Sequence, residues 1–189
     1  MERKTNIKRL VLTAIMIALA TVLSMVKIFK MPLGGSVTLL SMLPIALISV
    51  EYGIKWGMTA SFAYSLVQMG LDMAEVFSWG LSPLALIGTI AIDYILAYSA
   101  IGLSGIFRKK GVAGVCTGIA IALILRFIFH VISGTIIFAS WMPEEWNNPL
   151  LYSICYNGLY MLPEIVFTMI GTVILFKIPQ FNKLVSSNL

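Results

Sequence analysis

Charged residues are scarce in this sequence, and the shortage excludes most classes of soluble protein. Asp, Glu, Lys and Arg make up 11% of the 189 residues, whereas 59% are apolar and the mean hydropathy is +0.96. A soluble domain carries about 25% charged residues and roughly 45–50% apolar ones. The same figures exclude an intrinsically disordered chain, which needs low hydrophobicity. We therefore expect an integral membrane protein with almost no soluble mass.

Three further absences narrow the function. The two cysteines, Cys116 and Cys155, lie far apart in apolar runs and lack the Cys-x-x-Cys spacing of a metal site, so we expect free thiols. The sequence has no Gly-x-x-x-x-Gly-Lys-Ser/Thr loop for nucleotide phosphates. If the protein transports a substrate against its gradient, the energy must come from an ion gradient or from a partner chain. The first apolar run lacks a clear cleavage site, so we expect it to remain as a span.

Six apolar stretches are the candidates for membrane helices. A helix needs about 20 apolar residues to cross the hydrocarbon layer, and barrel strands are roughly half as long and alternate with polar residues. We therefore predict an all-α fold, an integral membrane six-helix bundle that forms a single domain over residues 1–189. The second stretch is short and contains Pro44, so it is alternatively a tilted or re-entrant piece. The predicted spans are 10–26, 37–50, 54–71, 83–107, 112–139 and 151–178.

Basic residues concentrate on one side of the predicted bundle. Ten Lys and Arg residues fall on the side of the two termini, while the other side has Lys27, Lys30 and four acidic residues. Because cytoplasmic loops carry the excess of Lys and Arg, both termini are predicted to be cytoplasmic. We therefore attribute the excess of Lys and Arg over Asp and Glu to membrane topology and to contacts with lipid head groups, and not to a nucleic-acid-binding site. The ten basic residues are Arg3, Lys4, Lys8, Arg9, Lys55, Arg108, Lys109, Lys110, Lys177 and Lys183, and the acidic ones are Asp72, Glu75, Glu144 and Glu145.

A few ionisable or amide side chains fall at membrane depth. Each is a functional hypothesis, because inserting a charge there costs at least about 2.5–3.5 kcal/mol. Arg126 and His130 are four residues apart and share one helix face, and Asn157 shares a face with Glu164, seven residues further on. With the predicted orientation these groups meet in one outward-facing layer. Asp93, Tyr94, Arg126, His130, Asn157 and Glu164 make up this set.

Aromatic residues near the loop between the last two spans add walls to this polar layer. They are Phe138, Trp141, Trp146 and Tyr152. A carboxylate within aromatic walls suits a flat organic cation, because ring faces attract a cation by about 0.5–2 kcal/mol each. Simpler interpretations remain open: the tryptophans as interfacial anchors, Arg126 as a direct partner of Asp93 or Glu164, and Tyr98 as a packing residue.

Several of these stretches resemble motifs of one family. Residues 34–45 (GGSVTLLSMLPI) are similar to the first loop and second helix of the substrate-binding S components of energy-coupling factor vitamin transporters. Residues 93–98 (DYILAY) and 126–134 (RFIFHVISG) resemble the fourth- and fifth-helix motifs of the thiamine-specific members. Residues 152–158 (YSICYNG) resemble the start of their sixth helix, so the likeness runs in order along almost the whole chain.

The resemblance implies a high-affinity thiamine-binding S component, without catalytic activity or a cofactor, in a bacterial plasma membrane. It implies partners as well: a transmembrane coupling subunit (EcfT-like) and two ATPase subunits (EcfA-like), whose ATP hydrolysis drives uptake. The first helix of the family docks on the coupling subunit, and Ala14 and Ala18 match that surface here. Small residues at this spacing let another helix approach closely, although packing within the bundle is the alternative.

The resemblance also implies the roles of individual residues. Asp93 would face the cationic ring and the aminopyrimidine, Tyr94 would donate a hydrogen bond, and Phe138 would stack on the substrate. The first loop would cap the pocket, but it has Gly34 and Gly35 where some relatives have a stacking tryptophan, so Trp79 or Trp141 is a candidate for that face. The predicted substrate-binding set is Asp93, Tyr94, Arg126, His130, Phe138, Trp141, Tyr152 and Asn157.

Three alternatives remain at this stage. Another vitamin, such as riboflavin or a thiamine precursor, would keep the class and change the ligand. A small intramembrane enzyme would use Asp93, Arg126 and His130 as acid–base groups, but the sequence offers neither a nucleophile motif nor a metal cluster. A scaffold subunit would bind no ligand at all.

Overall fold

The structure is a computed structural model that describes residues 2–32 and 34–186, with side chains for residues 6–32 and 34–182. The side chains of Arg3, Lys4 and Lys183, which belong to the charge count above, lie outside this part. The described chain is mostly helical. The helices are α1 Glu2–Met25, α2 Met42–Tyr52, α3 Ile54–Ser78, α4 Pro83–Gly105, α5 Gly111–Ile136, α6 Pro149–Lys177 and α7 Pro179–Ser186, with short 3-10 turns at Arg108–Lys110 and Ala139–Trp141.

Four helical segments of the described chain are long and apolar enough to cross a membrane. They are Asn6–Met25, Pro83–Gly105, Arg108–Ile136 and Pro149–Lys177. They correspond to the first, fourth, fifth and sixth predicted spans. The third helix is long but carries Lys55, Asp72 and Glu75 and extends to Ser78, seven residues past the predicted end. A membrane-embedded helical protein is therefore confirmed in outline.

The second predicted span is wrong at its start. Residues 36–38 form a strand, and the helix begins only at Met42 and ends at Tyr52. Eleven residues rise about 16 Å, which is too short to cross the hydrocarbon layer. All side chains from Met42 to Val50 are buried. A helix that is apolar on every side belongs in the interior of a bundle, and α2 is the centre of this one.

Close backbone contacts hold α3 and α4 against α2. The hydroxyl of Ser49 donates to the carbonyl of Gly102 at 2.5 Å and accepts from the N–H of Gly105 at 3.0 Å. A Cβ added to Gly105 would lie 2.3 Å from the carbonyl oxygen of Ser49, and one added to Gly57 would lie 2.4 Å from the Ser49 Cβ. Small residues thus permit a packing distance that any larger side chain would prevent.

A small antiparallel hairpin, which was not predicted, interrupts the otherwise helical described chain. Strands β1 (Lys27–Lys30) and β2 (Ser36–Thr38) pair with a bulge near the start of β1, and they join α1 to α2. The pattern escapes detection from sequence because four and three residues are too few for a clear alternation. The tip of the hairpin and its inner face lie over the polar residues of α4 to α6.

The winding of α4 changes along its length. It is an α-helix over Pro83–Thr89, a π-helix over Ile90–Leu96, α again over Ala97–Ser99, and 3-10 over Ala100–Gly105. The prediction of one regular helix over residues 83–107 is therefore right in extent and wrong in detail. Short π segments inside helices occur frequently at functional sites, and this one contains Asp93 and Tyr94.

Candidate functional site

A cavity of about 440 Å³ lies between the hairpin and helices α3 to α6. Its volume falls within the range of about 300–1,000 Å³ that is usual for small-molecule sites. All eight residues predicted to bind substrate line it. They are Asp93, Tyr94, Arg126, His130, Phe138, Trp141, Tyr152 and Asn157. The expected convergence of these side chains on one site is therefore observed, while their roles toward a ligand remain predictions.

The carboxylate of Asp93 is held by two side chains of α5. Its Oδ1 lies 2.8 Å from Nδ1 of His130, and its Oδ2 accepts a short hydrogen bond from the hydroxyl of Ser133. His130 and Ser133 are three residues apart and so share a helix face. Ser133 was not predicted, although its spacing from His130 was a usable signal. The result is a fixed carboxylate in the cavity wall whose side chain remains 17% exposed.

Arg126 does not form the direct ion pair that the sequence allowed. Its side chain is almost fully buried, and within the described chain no carboxylate oxygen lies within salt-bridge distance of its guanidinium. Instead its Nε donates to Nε2 of His130 at 3.3 Å, and a terminal nitrogen lies 3.5 Å from the sulfur of Met42. Arg126 therefore reaches Asp93 only through the imidazole ring between them.

Tyr98 also departs from the expectation of a simple packing residue. The guanidinium carbon of Arg126 lies 3.9 Å from the centre of its ring, and the ring lines the cavity. Tyr94 stacks on Tyr98 with ring centres 6.2 Å apart and planes inclined by 17°. The hydroxyl of Tyr94 donates to Asp72 at 3.3 Å, which is a long hydrogen bond to the C-terminal part of α3. Tyr98 thus packs against the guanidinium of Arg126, and Tyr94 packs against Tyr98.

Three aromatic rings make one wall of the cavity. Phe138 and Trp141 meet edge to face at 5.1 Å, and Trp79 packs edge to face on both, at 5.8 and 6.1 Å. Trp79 ends α3, and Gly80 follows it with a φ of +64° that reverses the chain. A Cβ added to Gly34 would lie 3.2 Å from the Trp79 ring, so the two residues share one space at the hairpin tip. Both candidates for the missing first-loop aromatic therefore line the cavity.

Asn157 is held in a fixed orientation beside the part of α5 that carries His130. Its amide nitrogen donates to the carbonyl of Ser153 at 2.9 Å, and its amide oxygen accepts from the hydroxyl of Tyr160 at 2.6 Å. Tyr152 and Tyr156 continue this wall toward the mouth, with ring centres 5.8 Å apart. Tyr156 and Tyr160 were not predicted, yet the spacing of four residues along Tyr152, Tyr156 and Tyr160 marks one face of α6.

The hairpin is attached to the rest of the site at three points. Lys30 forms an exposed ion pair of 2.9 Å with Glu75 of α3. The hydroxyl of Tyr156 donates to the carbonyl of Gly34 at 3.0 Å. At the base, Thr38 donates from its hydroxyl at 2.6 Å, and also from its backbone N–H, to the buried Glu164. Glu164 does not line the cavity, so its place in the polar layer is to anchor β2.

Ala14 and Ala18, the predicted docking surface, lie away from the cavity on an exposed face of α1. Another face of α1 packs inward, through Thr13, Ala20 and Ser24. The exposed position of the two alanines leaves room for another helix.

Comparison with known proteins gives likenesses over nearly the whole chain. A family described as thiamine transporter protein matches residues 10–183. The chain is 35% identical over 191 residues to Thiamine transporter ThiT of Bacillus subtilis (strain 168), which covers 93% of this chain and 94% of that protein. It also matches a solved structure of ThiT from Listeria monocytogenes with a TM-score of 0.77 and 25% identity, over 96% of this chain and 98% of that one.

Proposed function

Because the chain belongs to the thiamine transporter protein family, whose members are transporters and not enzymes, we propose that it is a high-affinity thiamine-binding S component of an energy-coupling factor transporter. The cavity is the proposed thiamine site. The observation that carries the proposal is the carboxylate of Asp93, which His130 and Ser133 hold inside an aromatic-walled cavity of suitable volume; Asp72 and Glu75 also line this cavity. Thiamine combines a permanent cation with a flat pyrimidine, and the two kinds of wall correspond to these two parts.

The carboxylate of Asp93 supplies the charge complement. The thiazolium ring carries its positive charge at every pH, so its partner must be an anion that is not already neutralised. His130 and Ser133 are neutral donors, and they orient the carboxylate without cancelling its charge. In a partly dehydrated site, opposite charges about 4 Å apart attract by about 4 kcal/mol at an effective dielectric constant of about 20.

The remaining walls supply stacking and hydrogen bonding. Phe138 with Trp79 and Trp141 offers ring faces and edges for a flat ligand, and aromatic contacts of this kind add about 0.5–1.5 kcal/mol beyond area burial. Tyr152 and Asn157 also line the cavity and are assigned to the pyrimidine edge. The fixed amide of Asn157 favours one pattern of donors and acceptors over another. Selectivity for thiamine over other vitamins would come from this wall.

The hairpin would close the cavity over a bound ligand. Its inner face carries Gly34 and Gly35, which bring the backbone close to Trp79 and Tyr160. The exposed Lys30–Glu75 pair contributes little stability, since surface ion pairs are worth about 0–1 kcal/mol. We therefore assign to the hairpin the capping role that the resemblance gives to the first loop.

The proposal includes a topology and partners. We propose six membrane segments in one domain, with α2 and α3 completing the four long apolar helices, and with both termini in the cytoplasm of a bacterial cell. The basic residues on that side support the orientation. A transmembrane coupling subunit (EcfT-like) would dock on Ala14 and Ala18, and two ATPase subunits (EcfA-like) would supply the energy that this chain has no motif to generate.

Titration of the detergent-purified protein with thiamine tests the proposal. Two cavity tryptophans should report binding through their fluorescence, and calorimetry gives an independent measure. We expect saturable binding of thiamine with a Kd below micromolar. An excess of unlabelled thiamine should displace bound labelled thiamine, and riboflavin should not. Binding of riboflavin or of a thiamine precursor in preference to thiamine would keep the class of the protein and change its substrate, and no saturable binding would refute the proposal.

A further inference from the structure

Arg126 and Asp93 lie on opposite sides of one imidazole ring. The Nδ1 atom of His130 is 2.8 Å from the Asp93 carboxylate, and its Nε2 atom is 3.3 Å from the guanidinium Nε. All three side chains line the same cavity. A buried arginine beside an aspartate would ordinarily form a direct, bidentate pair. Here the ring of His130 occupies the space that such a pair would need.

The partners of the two ring nitrogens assign one tautomer to His130. The guanidinium can only donate, so Nε2 of His130 accepts and carries no proton. Nδ1 then carries the single ring proton and donates it to the carboxylate. His130 is thus a neutral bridge whose two nitrogens match a donor on one side and an acceptor on the other. The dipole of the neutral ring is aligned in the same sense, with its negative end at Nε2 toward Arg126 and its positive end at Nδ1 toward Asp93.

Two other contacts hold the guanidinium on its own side of the ring. It stacks over Tyr98 at 3.9 Å, and one terminal nitrogen lies against the sulfur of Met42 at 3.5 Å. Both contacts are attractive but weaker than an ion pair in a dehydrated site. Within the described chain two acidic groups face this space, Asp93 beyond the ring and the buried Glu164, which Thr38 already engages through its hydroxyl and backbone N–H. If the imidazole were removed, we expect the flexible arginine side chain to move into the vacated space toward Asp93.

We propose that His130 is a positioning residue that holds Arg126 away from the carboxylate of Asp93, and so keeps that carboxylate free to pair with an organic cation. The inference rests on the proposed function, because it concerns the charge of the same cavity. A neutral spacer solves a specific difficulty of the site. A permanent positive charge at Arg126 would otherwise neutralise the group that selects a cationic ligand.

The test compares thiamine with an uncharged analogue in which a neutral ring replaces the thiazolium. In His130→Ala, we expect the affinity for thiamine to fall about 10- to 100-fold more than the affinity for the analogue. Adding Arg126→Met to that variant should then restore thiamine affinity by about tenfold or more, because the competing cation is gone. In the wild-type background, Arg126→Met should give no comparable gain.

A conservative replacement adds a second readout. His130→Gln offers an amide oxygen to Arg126 and an amide N–H to Asp93, so it should keep most of the preference for thiamine that His130→Ala loses. Equal losses for both ligands in His130→Ala, or no recovery in the double variant, would overturn the inference and leave the proposed function intact. Failure of the wild type to bind thiamine would overturn both.

Discussion

Replacement of Asp93 by Asn should separate the charge of the site from its shape. The two side chains have nearly the same size, and the amide oxygen can still accept from Ser133 or His130, so the cavity should keep its form. What is lost is one negative charge whose side chain is only 17% exposed. At about 4 Å and an effective dielectric constant of about 20, that charge is worth about 4 kcal/mol to a cation.

Partial exposure and adjustment of nearby groups reduce this value. We therefore expect a loss of about 2–4 kcal/mol for thiamine, which is about 30- to 1,000-fold in Kd. The affinity for the uncharged analogue should fall by no more than about tenfold, which is the usual contribution of one neutral hydrogen bond. Calorimetric titration of both ligands on wild type and D93N gives the two ratios. Equal losses for the two ligands would refute the role of Asp93 as the partner of the cation.

Three further predictions concern the wall, the core and the outer face of α1. Trp79→Ala should lower the affinity for thiamine about 2- to 30-fold, while Trp79→Phe should retain most of it. Trp146 lies outside the cavity and gives the control W146F. An equally large loss of affinity in W146F would contradict the role of Trp79. Gly105→Ala should lower Tm, because its Cβ would lie 2.3 Å from a carbonyl oxygen, whereas Gly70→Ala, with nothing within 4 Å, should not; equal Tm values would show that α4 does not pack as described. The double variant Ala14→Trp, Ala18→Trp should bind thiamine as before but should abolish thiamine uptake by cells that contain the coupling module. The control Leu159→Trp, on the exposed face of α6, should preserve uptake. Normal uptake by the double variant would exclude this docking surface.

The long helices were predictable because lipid leaves the backbone few choices. An apolar run of sufficient length must satisfy its own hydrogen bonds, so the run itself marks the helix. Both ends of α4 to α6 and the end of α1 consequently fall near the predicted ones, whereas α1 begins at Glu2, eight residues before the predicted start. The hairpin and the start of α2 were not predictable, because residues 27–38 are too short and too mixed to distinguish a strand pair from a loop.

The site was predictable as a set of residues and not as a network. Spacing on helix faces brought Arg126 to His130, and the fourth-helix motif supplied Asp93. Which atoms meet depends on the rotation of each helix and on the π winding around Asp93, neither of which the sequence specifies. For that reason the bridging position of His130 and the stacking of Tyr98 on Arg126 emerged only from the structure. Trp79 lay outside the predicted set because it reaches the cavity through a helix-ending turn.

The central claim is that the Asp93 cavity holds thiamine, and the identity of the molecule that co-purifies with the protein tests it most directly. Protein isolated from cells grown with thiamine should release thiamine on denaturation, in nearly equimolar amount by mass spectrometry. D93N isolated in parallel should release far less. Recovery of a different vitamin from the wild type, or equal amounts of thiamine from both proteins, would contradict the account.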